Sequence, residues 1–329
     1  MLKYVIRRLL LMLLVMFCVV LFVFILGRVA GDPVATLLGE GYTQEQYDAM
    51  EKEMGLDKPY PVQFFNYIKG IILHFDLGTS YQTRTPVIDA IKLRFPISLR
   101  IAIFTMLWSI PVGVLVGIIS AIKQYSKLDM TLTTSAMILA ALPNFWSALM
   151  LMILLSLNLK LLPATGLESW TGYIMPCIAL GLRRVAIFCR MTRSTMLGVM
   201  RSDYVRTARS KGLDEKVVIF KHMLPNAAIP VIAMLTNSFE IVIGGSAVIE
   251  NIFRIPGLGS YLIYSINTGD YPAVQGAVLV LSLVVCVLNF LTDLCYAAID
   301  PRIKAKYKNS GSTRKVNRQI KKMARESAA

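Results

Sequence analysis

Ionisable and polar side chains inside apolar stretches are the first candidates for chemistry. Arg183 and Arg184 interrupt the stretch 173–189, and Glu240 lies one turn after Asn237 on the same face of another stretch. A charged side chain that faces lipid at mid-bilayer costs about 2.5–3.5 kcal/mol, so we expect these groups to face protein or a water-filled cavity. Glu240 could receive a cationic group of a ligand, and an arginine could receive a carboxylate. Alternatively, Glu240 only neutralises Arg183 or Arg184.

A second candidate site is the basic segment 202–225, which joins two apolar stretches. Ser202 and Asp203 are candidate N-caps of a short helix that Gly212 ends, and Asp214 can cap a second helix. The second helix carries six apolar side chains: Val217, Val218, Ile219, Phe220, Met223 and Leu224. Because a free loop would not expose so many to water, we expect another surface to cover them. A partner protein and anionic lipid headgroups are both candidates for that surface.

Several kinds of catalytic and cofactor site are missing from the sequence. It has no GxxxxGK[ST] loop for nucleotide phosphates, and no HExxH, GxSxG or CxxC pattern. The two histidines, His74 and His222, are expected on opposite sides of a membrane, and all five cysteines lie in or beside apolar stretches. We therefore expect no catalytic residues, no metal site and no disulfide framework in this chain.

Composition and charge place the chain in a membrane. Of its 329 residues, 55% are hydrophobic, and the mean hydropathy is +0.58. The formal charge of +15 is concentrated between apolar stretches and at the two ends, which is typical of the positive-inside bias and not of a nucleic-acid-binding surface. The sequence predicts an all-α integral membrane protein with six spans, at about 9–26, 99–122, 132–157, 173–189, 227–248 and 274–297.

The basic residues also predict how the spans are oriented. Lys3, Arg7 and Arg8 precede the first span, eight Lys or Arg lie between 190 and 221, and ten follow Asp300. These segments, and hence both termini, are predicted to be cytoplasmic. The first span could instead be a signal peptide, but its apolar run is long for that role and its cleavage signal is poor.

Four regions follow from this topology: 1–30 with the first span, an extracytoplasmic loop at 31–98, a core of five spans at 99–298, and a basic cytoplasmic tail at 299–329. In the outer loop, Thr43 and Gln46 form a capping-box pattern, and further short helices are predicted from Pro61 and from 87 to 95. This ordered loop could meet a partner protein outside the membrane, or it could only cap the spans.

Two features near the inner side of the membrane have more than one interpretation. Asp293, near the inner end of the sixth span, is predicted to pair with a basic residue. The tail could lie on anionic headgroups, or it could be a disordered solubilising end.

The spacing across 202–225 matches a known pattern. Membrane subunits of bacterial ABC importers share EAA, three residues, Gly, nine residues, Ile, one residue and Leu-Pro. Here Arg206-Thr207-Ala208 hold the EAA places, Gly212 follows at the right distance, His222 replaces the Ile, and Leu224-Pro225 close the pattern. The segment resembles these permeases, and Arg-Thr-Ala with Lys-Gly resembles their dipeptide, oligopeptide and nickel branch. Blocks that resemble the same branch lie at 31–33, 55–59, 76–80, 96–99 and 250–276.

This resemblance implies a type I ABC importer permease in the inner membrane of a bacterium. In that family the two short helices dock into a groove of an ATPase subunit, and the fifth span lines the translocation path. The implied coupling residues are Arg206, Thr207, Ala208, Gly212, Leu224 and Pro225. Also implied are a second, homologous permease subunit in a heterodimer, two ATPase subunits that bind ATP and magnesium, and an extracytoplasmic substrate-binding protein. This chain itself would bind no cofactor.

The function that the resemblance implies is ATP-driven import of peptides. Nickel, glutathione, opines and murein peptides stay open as substrates, because the binding protein sets most of the selectivity. An ion-coupled secondary transporter would need intramembrane sites in both halves of the chain, and only Glu240 fits. A structural scaffold would explain the spans but not the spacing from Arg206 to Pro225.

Overall fold

Helices form almost all of the regular secondary structure in the part of the chain that the structure describes. The computed structural model describes residues 2–29 and 32–299, in which extended backbone pairs at one isolated bridge, between Thr79 and Pro86. The α-helices are α1 (Leu2–Val29), α2 (Pro33–Leu38), α3 (Gln44–Glu53), α4 (Tyr60–His74), α5 (Val87–Ile122), α6 (Lys127–Ala141), α7 (Asn144–Leu151), α8 (Ile174–Met200), α9 (Asp203–Ser210), α10 (Glu215–Val217), α11 (Leu224–Ile252), α12 (Leu258–Asn267) and α13 (Tyr271–Ile299). Two π-helical segments, Met152–Asn158 and Val218–Met223, and a 3₁₀ turn, Trp170–Tyr173, complete them. The predicted boundary at 30/31 and the tail beyond Ile299 lie outside the described residues.

Six spans can be read from these helices. Five are long and apolar enough to cross a bilayer by themselves: Val5–Gly27, Val87–Ile122, Trp170–Met200, Glu215–Ile252 and Tyr271–Leu294. Counting the bent pair α6 and α7 as one span gives the sixth. The all-α membrane fold that the sequence predicts is confirmed, although several helices extend beyond the apolar stretches into the polar residues on either side.

Helix α5 corrects the sequence prediction at its outer end. We predicted a short helix at 87–95 and a separate span from 99, whereas α5 runs unbroken through Pro96 and Pro111. A proline removes one hydrogen bond from a helix, but packing against neighbouring helices in a membrane protein allows the helix to continue. The predicted boundary between outer loop and core, at 98/99, therefore falls inside α5.

The third span is sharply bent at its proline. Helices α6 and α7 meet at 101°, and the bend lies at Leu142 and Pro143. Leu142 has φ −69° and ψ 129°, an extended conformation. A residue before proline avoids the helical region because the proline ring clashes with its backbone. Local sterics therefore account for the bend in the middle of the predicted span.

Helices α5 and α8 approach each other closely along two glycines. A Cβ at Gly113 would lie 2.7 Å from Cβ of Phe188, and one at Gly117 would lie 2.6 Å from the carbonyl oxygen of Cys189. Small residues four positions apart let two membrane helices bring their backbones together, which increases dispersion contacts. The two glycines are visible in the sequence, but the partner helix is not, so sequence reasoning missed this contact.

The outer loop is fixed by a capping box and by a buried aspartate. The hydroxyl of Thr43 accepts the Gln46 N–H at 3.3 Å, and the Gln46 side chain accepts the Thr43 N–H at 3.0 Å, which confirms the predicted box. Asp270 accepts the hydroxyl of Ser80 at 2.5 Å and the N–H of Tyr81 at 3.0 Å. These bonds tie the end of the loop to the junction between α12 and α13.

The contacts divide the chain into two compact units. The larger one comprises residues 20–281, and the smaller one contains α1 up to Val19 and α13 from Ser282. Within the smaller unit, Nη1 of Arg8 lies 2.6 Å from Oδ2 of Asp293. The prediction that Asp293 pairs with a basic residue is confirmed.

The α5–α8 contact predicts different effects on stability for the same substitution at two glycines. Gly117→Ala should lower the apparent unfolding temperature of the purified protein, because its methyl group meets the backbone of α8, at a cost of about 1–3 kcal/mol. Gly198→Ala should leave that temperature unchanged or raise it slightly, since nothing lies within 4 Å of the added Cβ. Differential scanning fluorimetry in detergent measures both, and equal shifts would contradict the close contact.

Candidate functional site

The segment 202–225 folds as two short helices joined at a glycine, as predicted. After α9, Gly212 has φ 71°, a left-handed conformation that glycine adopts without steric strain. The side chain of Asp214 caps α10. Ser202 precedes α9, but its hydroxyl donates to a carbonyl at the end of α8 and makes no cap. The turn between the two helices therefore depends mainly on Gly212 and Asp214.

The join between this segment and the fifth span is continuous. We predicted that Pro225 marks the join because it cannot extend the helical ladder. Hydrogen bonding changes there from the π to the α pattern, and Pro225 is the second residue of α11. Because the preceding turn is also helical, the missing N–H of Pro225 leaves one hydrogen bond of this stretch unmade. The helical stretch from Glu215 to Ile252 spans 38 residues without a gap. The second short helix therefore continues into α11 without a loop between them.

One face of the segment packs against the rest of the chain. The apolar cluster at this place contains residues from the segment, from α5, from α8 and from α11: Val205, Ala208, Val218, Ile219 and Met223, with Ile118, Ala121, Met196 and Ala227. We expected a foreign surface to cover the six apolar side chains of the second helix. For Val218, Ile219 and Met223 this expectation is wrong, because their cover comes from the protein's own helices.

The other face of the segment is exposed and apolar. Phe220 is 58% exposed and Val217 39%, and both line a shallow groove of about 580 Å³. Pro225, Lys216 and Lys221 complete the lining of this groove. An apolar floor with lysines at its edge suits a partner surface that is apolar at its centre and acidic at its rim.

The residues of the matched pattern divide between the two faces. Arg206, Thr207, Gly212 and Pro225 are exposed, Leu224 is half-buried, and Ala208 is 6% exposed. Ala208 belongs to the apolar cluster under α9, so its small side chain lets that helix lie close to the core. The exposed members are available to a partner, and Ala208 positions the helix that carries them.

An ion pair closes the turn at Gly212. The guanidinium of Arg209 donates to both carboxylate oxygens of Glu215, from Nε at 3.1 Å and from Nη2 at 2.5 Å. This forked pair raises the pKa of Arg209 above its usual value, chiefly through the hydrogen bond to Glu215. The ion pair therefore joins the end of α9, before Gly212, to the start of α10, after it.

A buried carboxylate that sequence reasoning missed ties three spans together beside this segment. Asp129, at the start of α6, accepts Nε and Nη2 of Arg193 on α8, both at 2.8 Å. The hydroxyl of Ser120 on α5 donates to the same carboxylate at 2.5 Å, and the N–H of Tyr125 donates at 3.0 Å. Asp129 is only 3% exposed. We call this hydrogen-bonded network the Asp129 clamp.

The Asp129 clamp connects the short helices to the bent span. The apolar cluster seats α9 and the π segment on α5 and α8, within two turns of Ser120 and Arg193. The clamp then joins those two helices to α6 through a forked, hydrogen-bonded pair. The short helices, α5, α8 and α6 are therefore joined by one continuous set of contacts.

The four side chains predicted for the translocation path lie on two helices that pack together, α8 and α11. Arg184 is 4% exposed, whereas its neighbour Arg183 is exposed. Asn237 is exposed, and Glu240 is half-buried. Their assignment to the path stays a prediction. Within residues 2–29 and 32–299, no group of three His, Cys, Asp or Glu could hold a metal ion.

Comparison with known proteins identifies the family to which the chain belongs. Residues 113–305 match the family described as "Binding-protein-dependent transport system inner membrane component", and residues 1–102 match its N-terminal companion. The chain belongs to this family. It is a multi-pass inner-membrane permease subunit of a bacterial ABC importer, as the resemblance of the segment 202–225 implied. Permeases of this family work with ATPase and substrate-binding partners.

Curated relatives match the permease over almost its full length. The glutathione transport system permease protein GsiC of Pectobacterium atrosepticum is 39% identical over 313 residues, which cover 93% of this chain and 100% of the relative. The protein of the same name from Escherichia coli O6:H1 is 37% identical over 310 residues, with the same coverage of both chains.

A solved structure shows the same fold. The permease resembles a chain of the MetNI methionine ABC transporter in its inward-facing conformations, with a TM-score of 0.56 and 18% identity. The match covers 65% of this chain and 97% of that chain. The likeness shows the type I permease fold.

The Asp129 clamp predicts a large effect for a substitution that keeps the shape of the side chain. Asp129→Asn leaves the Arg193 guanidinium without its counter-charge, so we expect a loss of about 3 kcal/mol and a lower unfolding temperature of the purified complex. The matched control is Asp89→Asn, which breaks an exposed pair with Lys92 and should cost no more than about 0.5 kcal/mol. If both variants unfold at the same temperature, the clamp contributes no stability.

Proposed function

We propose that this permease imports short peptides of the glutathione class, driven by ATP hydrolysis on separate subunits. The observation that carries the proposal is the similarity to glutathione permeases at 39% and 37% identity across their whole length. In this proposal the chain has no catalytic residue and no cofactor of its own, and ATP and magnesium bind to the partner ATPases. A substrate-binding protein delivers the peptide from outside.

The proposed assembly contains two permease subunits and two ATPases. One permease lines half of a path between two subunits, so a second, homologous chain completes it as a heterodimer. Each ATPase grips the exposed face of a segment like 202–225, and ATP brings the two ATPases together. The short helices then move with the ATPases and carry α5, α6 and α8 with them. The paired permeases rock from inward-open to outward-open by rigid-body motion.

The proposed roles of the path residues follow from the groups of a peptide. A peptide carries a cationic amino terminus and an anionic carboxylate. Glu240 can receive the first and Arg183 the second, with Asn237 donating or accepting hydrogen bonds nearby. Arg184 is buried, which supports a role in holding α8 in place rather than in direct contact with a solute.

Substrate uptake tests the proposal directly. Cells or proteoliposomes that contain the complete importer with its binding protein should accumulate radiolabelled glutathione when ATP is present, and unlabelled short peptides should compete. Accumulation of nickel or of an opine, with no uptake of glutathione or other peptides, would contradict the substrate class but not the permease assignment.

The turn at Gly212 predicts a coupling defect. Gly212→Val should uncouple ATP hydrolysis from uptake, because a β-branched residue is strained at positive φ and distorts the angle between the short helices. Gly212→Asn is the matched control and should keep most of the uptake, since asparagine tolerates the left-handed conformation. The measurement is the ratio of peptide transported to ATP hydrolysed. Wild-type transport by the valine variant would disprove the coupling role.

The exposed apolar face predicts a docking defect. Phe220→Asp should greatly reduce the amount of ATPase subunit that co-purifies after mild detergent extraction, because it places a charge in an apolar contact. Leu161→Asp, at a residue that is 68% exposed in the outer loop after α7, should co-purify normally. If Phe220→Asp instead keeps the ATPases but weakens binding to anionic vesicles, the segment lies on lipid.

A further inference from the structure

A second surface, distant in sequence from the segment 202–225, opens between the outer halves of α5 and α8. It is a cavity of about 660 Å³, a volume within the range of small-molecule sites. Half of its lining residues are aromatic, and the walls come from one face of α5, from the 3₁₀ turn 170–173 and from the start of α8: Phe104 and Trp108, with Trp170, Tyr173, Ile174, Cys177 and Ile178. Arg100 is its one charged lining residue. We call it the outer aromatic cavity.

The walls of this cavity are fixed by specific contacts. The Trp108 indole donates from Nε1 to the carbonyl of Cys177 at 3.2 Å, which satisfies its one polar group. A Cβ at Gly181 would collide with the indole ring, so the glycine makes room for Trp108. The rings of Phe104 and Tyr173 meet edge-on, with centroids 5.7 Å apart. The ring faces are held in place across the two helices.

The guanidinium of Arg100 is available to a ligand. Within residues 2–29 and 32–299 it takes part in no hydrogen bond, ion pair or ring contact, and its side chain is exposed. Arg94, six residues earlier on the same helix, differs, because it lies over the ring of Tyr261 at 4.6 Å and donates to the carbonyl of Ala90. Arg100 therefore presents five unused donors in a planar fork, which matches phosphate geometry.

The depth of the cavity follows from the rise of a helix. Arg100 lies 22 residues before Ile122 at the inner end of α5, which corresponds to about 33 Å along the helix. The hydrocarbon core of a bilayer is about 30 Å thick, so Arg100 lies at the level of the outer headgroups. Phe104 and Trp108 lie about 6 and 12 Å deeper, inside the hydrocarbon. Trp170 and Tyr173 stand at the outer interface, where amphipathic rings concentrate.

We propose that the outer aromatic cavity binds an anionic phospholipid of the outer leaflet, with its phosphate on Arg100 and an acyl chain along Phe104 and Trp108. The lining residues along α5 follow the order of the parts of a lipid. Arg100 lies at the level of the headgroup phosphate, and the rings of Phe104 and Trp108 lie at the depth of the acyl chain. The lining residues include no acid that would repel the phosphate. A peptide would leave the apolar lower part of the cavity unmatched to its backbone amides.

The bound lipid would act on the close contact between α5 and α8. One wall of the cavity belongs to α5, and the other belongs to α8 and the 3₁₀ turn that leads into it. A lipid bound there bridges the outer halves of the two helices, while Gly113 and Gly117 join them further in. The inference adds a lipid site on the membrane-facing side of the permease and does not depend on which solute the importer carries.

Photolabelling in nanodiscs tests the proposal. The assembled importer is placed in phosphatidylcholine nanodiscs with a trace of photoactivatable phosphatidylglycerol, or with the same trace of photoactivatable phosphatidylcholine. Peptide mass spectrometry then locates the adducts. We expect phosphatidylglycerol to label the peptides that contain Phe104, Trp108 and Trp170 several-fold more than phosphatidylcholine does.

Three variants sharpen this test. Arg100→Gln should reduce labelling by phosphatidylglycerol to the level of phosphatidylcholine, and Arg100→Lys should keep most of the preference. Lys160→Gln, which removes an exposed cation of the outer loop that does not line the cavity, should leave the preference unchanged.

Three results would overturn the proposal. Equal labelling by the two lipids in the wild-type complex would show that Arg100 selects no headgroup. Loss of the labelling when glutathione or inorganic phosphate is added would assign the cavity to a soluble anion. Crosslinks from these peptides to the second permease subunit, with no lipid adduct, would show that a protein surface fills the cavity.

Discussion

The close packing of α5 against α8 is the contact on which the rest of this permease depends. Gly113 and Gly117 remove the side chains that would hold the two backbones apart, and in a membrane such proximity replaces the hydrophobic effect as the source of association. The apolar cluster under the segment 202–225 rests on the inner ends of these helices, and the outer aromatic cavity opens between their outer ends. One helix pair thus positions the coupling segment, the Asp129 clamp and the cavity.

Local patterns predicted much of the structure. The six spans, the capping box of Thr43 and Gln46, the two short helices around Gly212 and the pairing of Asp293 all follow from residues close in sequence or from the cost of charge in a bilayer. The predicted break near Pro96 failed because a proline removes only one hydrogen bond from a helix, and packing of α5 against its neighbouring helices outweighs that loss. The spacing from Arg206 to Pro225 predicted the family, because it is long and contains several fixed positions.

The features that the sequence did not predict depend on distant pairs. Asp129 and Arg193 are 64 residues apart, and neither carries a local pattern that names the other. The sequence also did not show which side chains of the second short helix pack inward, because the inward and outward faces are both apolar. Telling them apart requires the positions of α5 and α8. Burial of Arg184 beside an exposed Arg183 likewise depends on how α8 is rotated in its bundle.

The uninterrupted helical stretch from Glu215 to Ile252 gives this permease a mechanical property of its own. A rod of 38 residues is about 57 Å long, so tilting it by about 5° moves one end past the other by about 5 Å. At its far end Glu250 is fully buried and accepts hydrogen bonds from Ser246 and from the N–H of Ser260, which joins the rod to α12. Small angular changes at the cytoplasmic end of this stretch therefore correspond to displacements of atomic size at its opposite end.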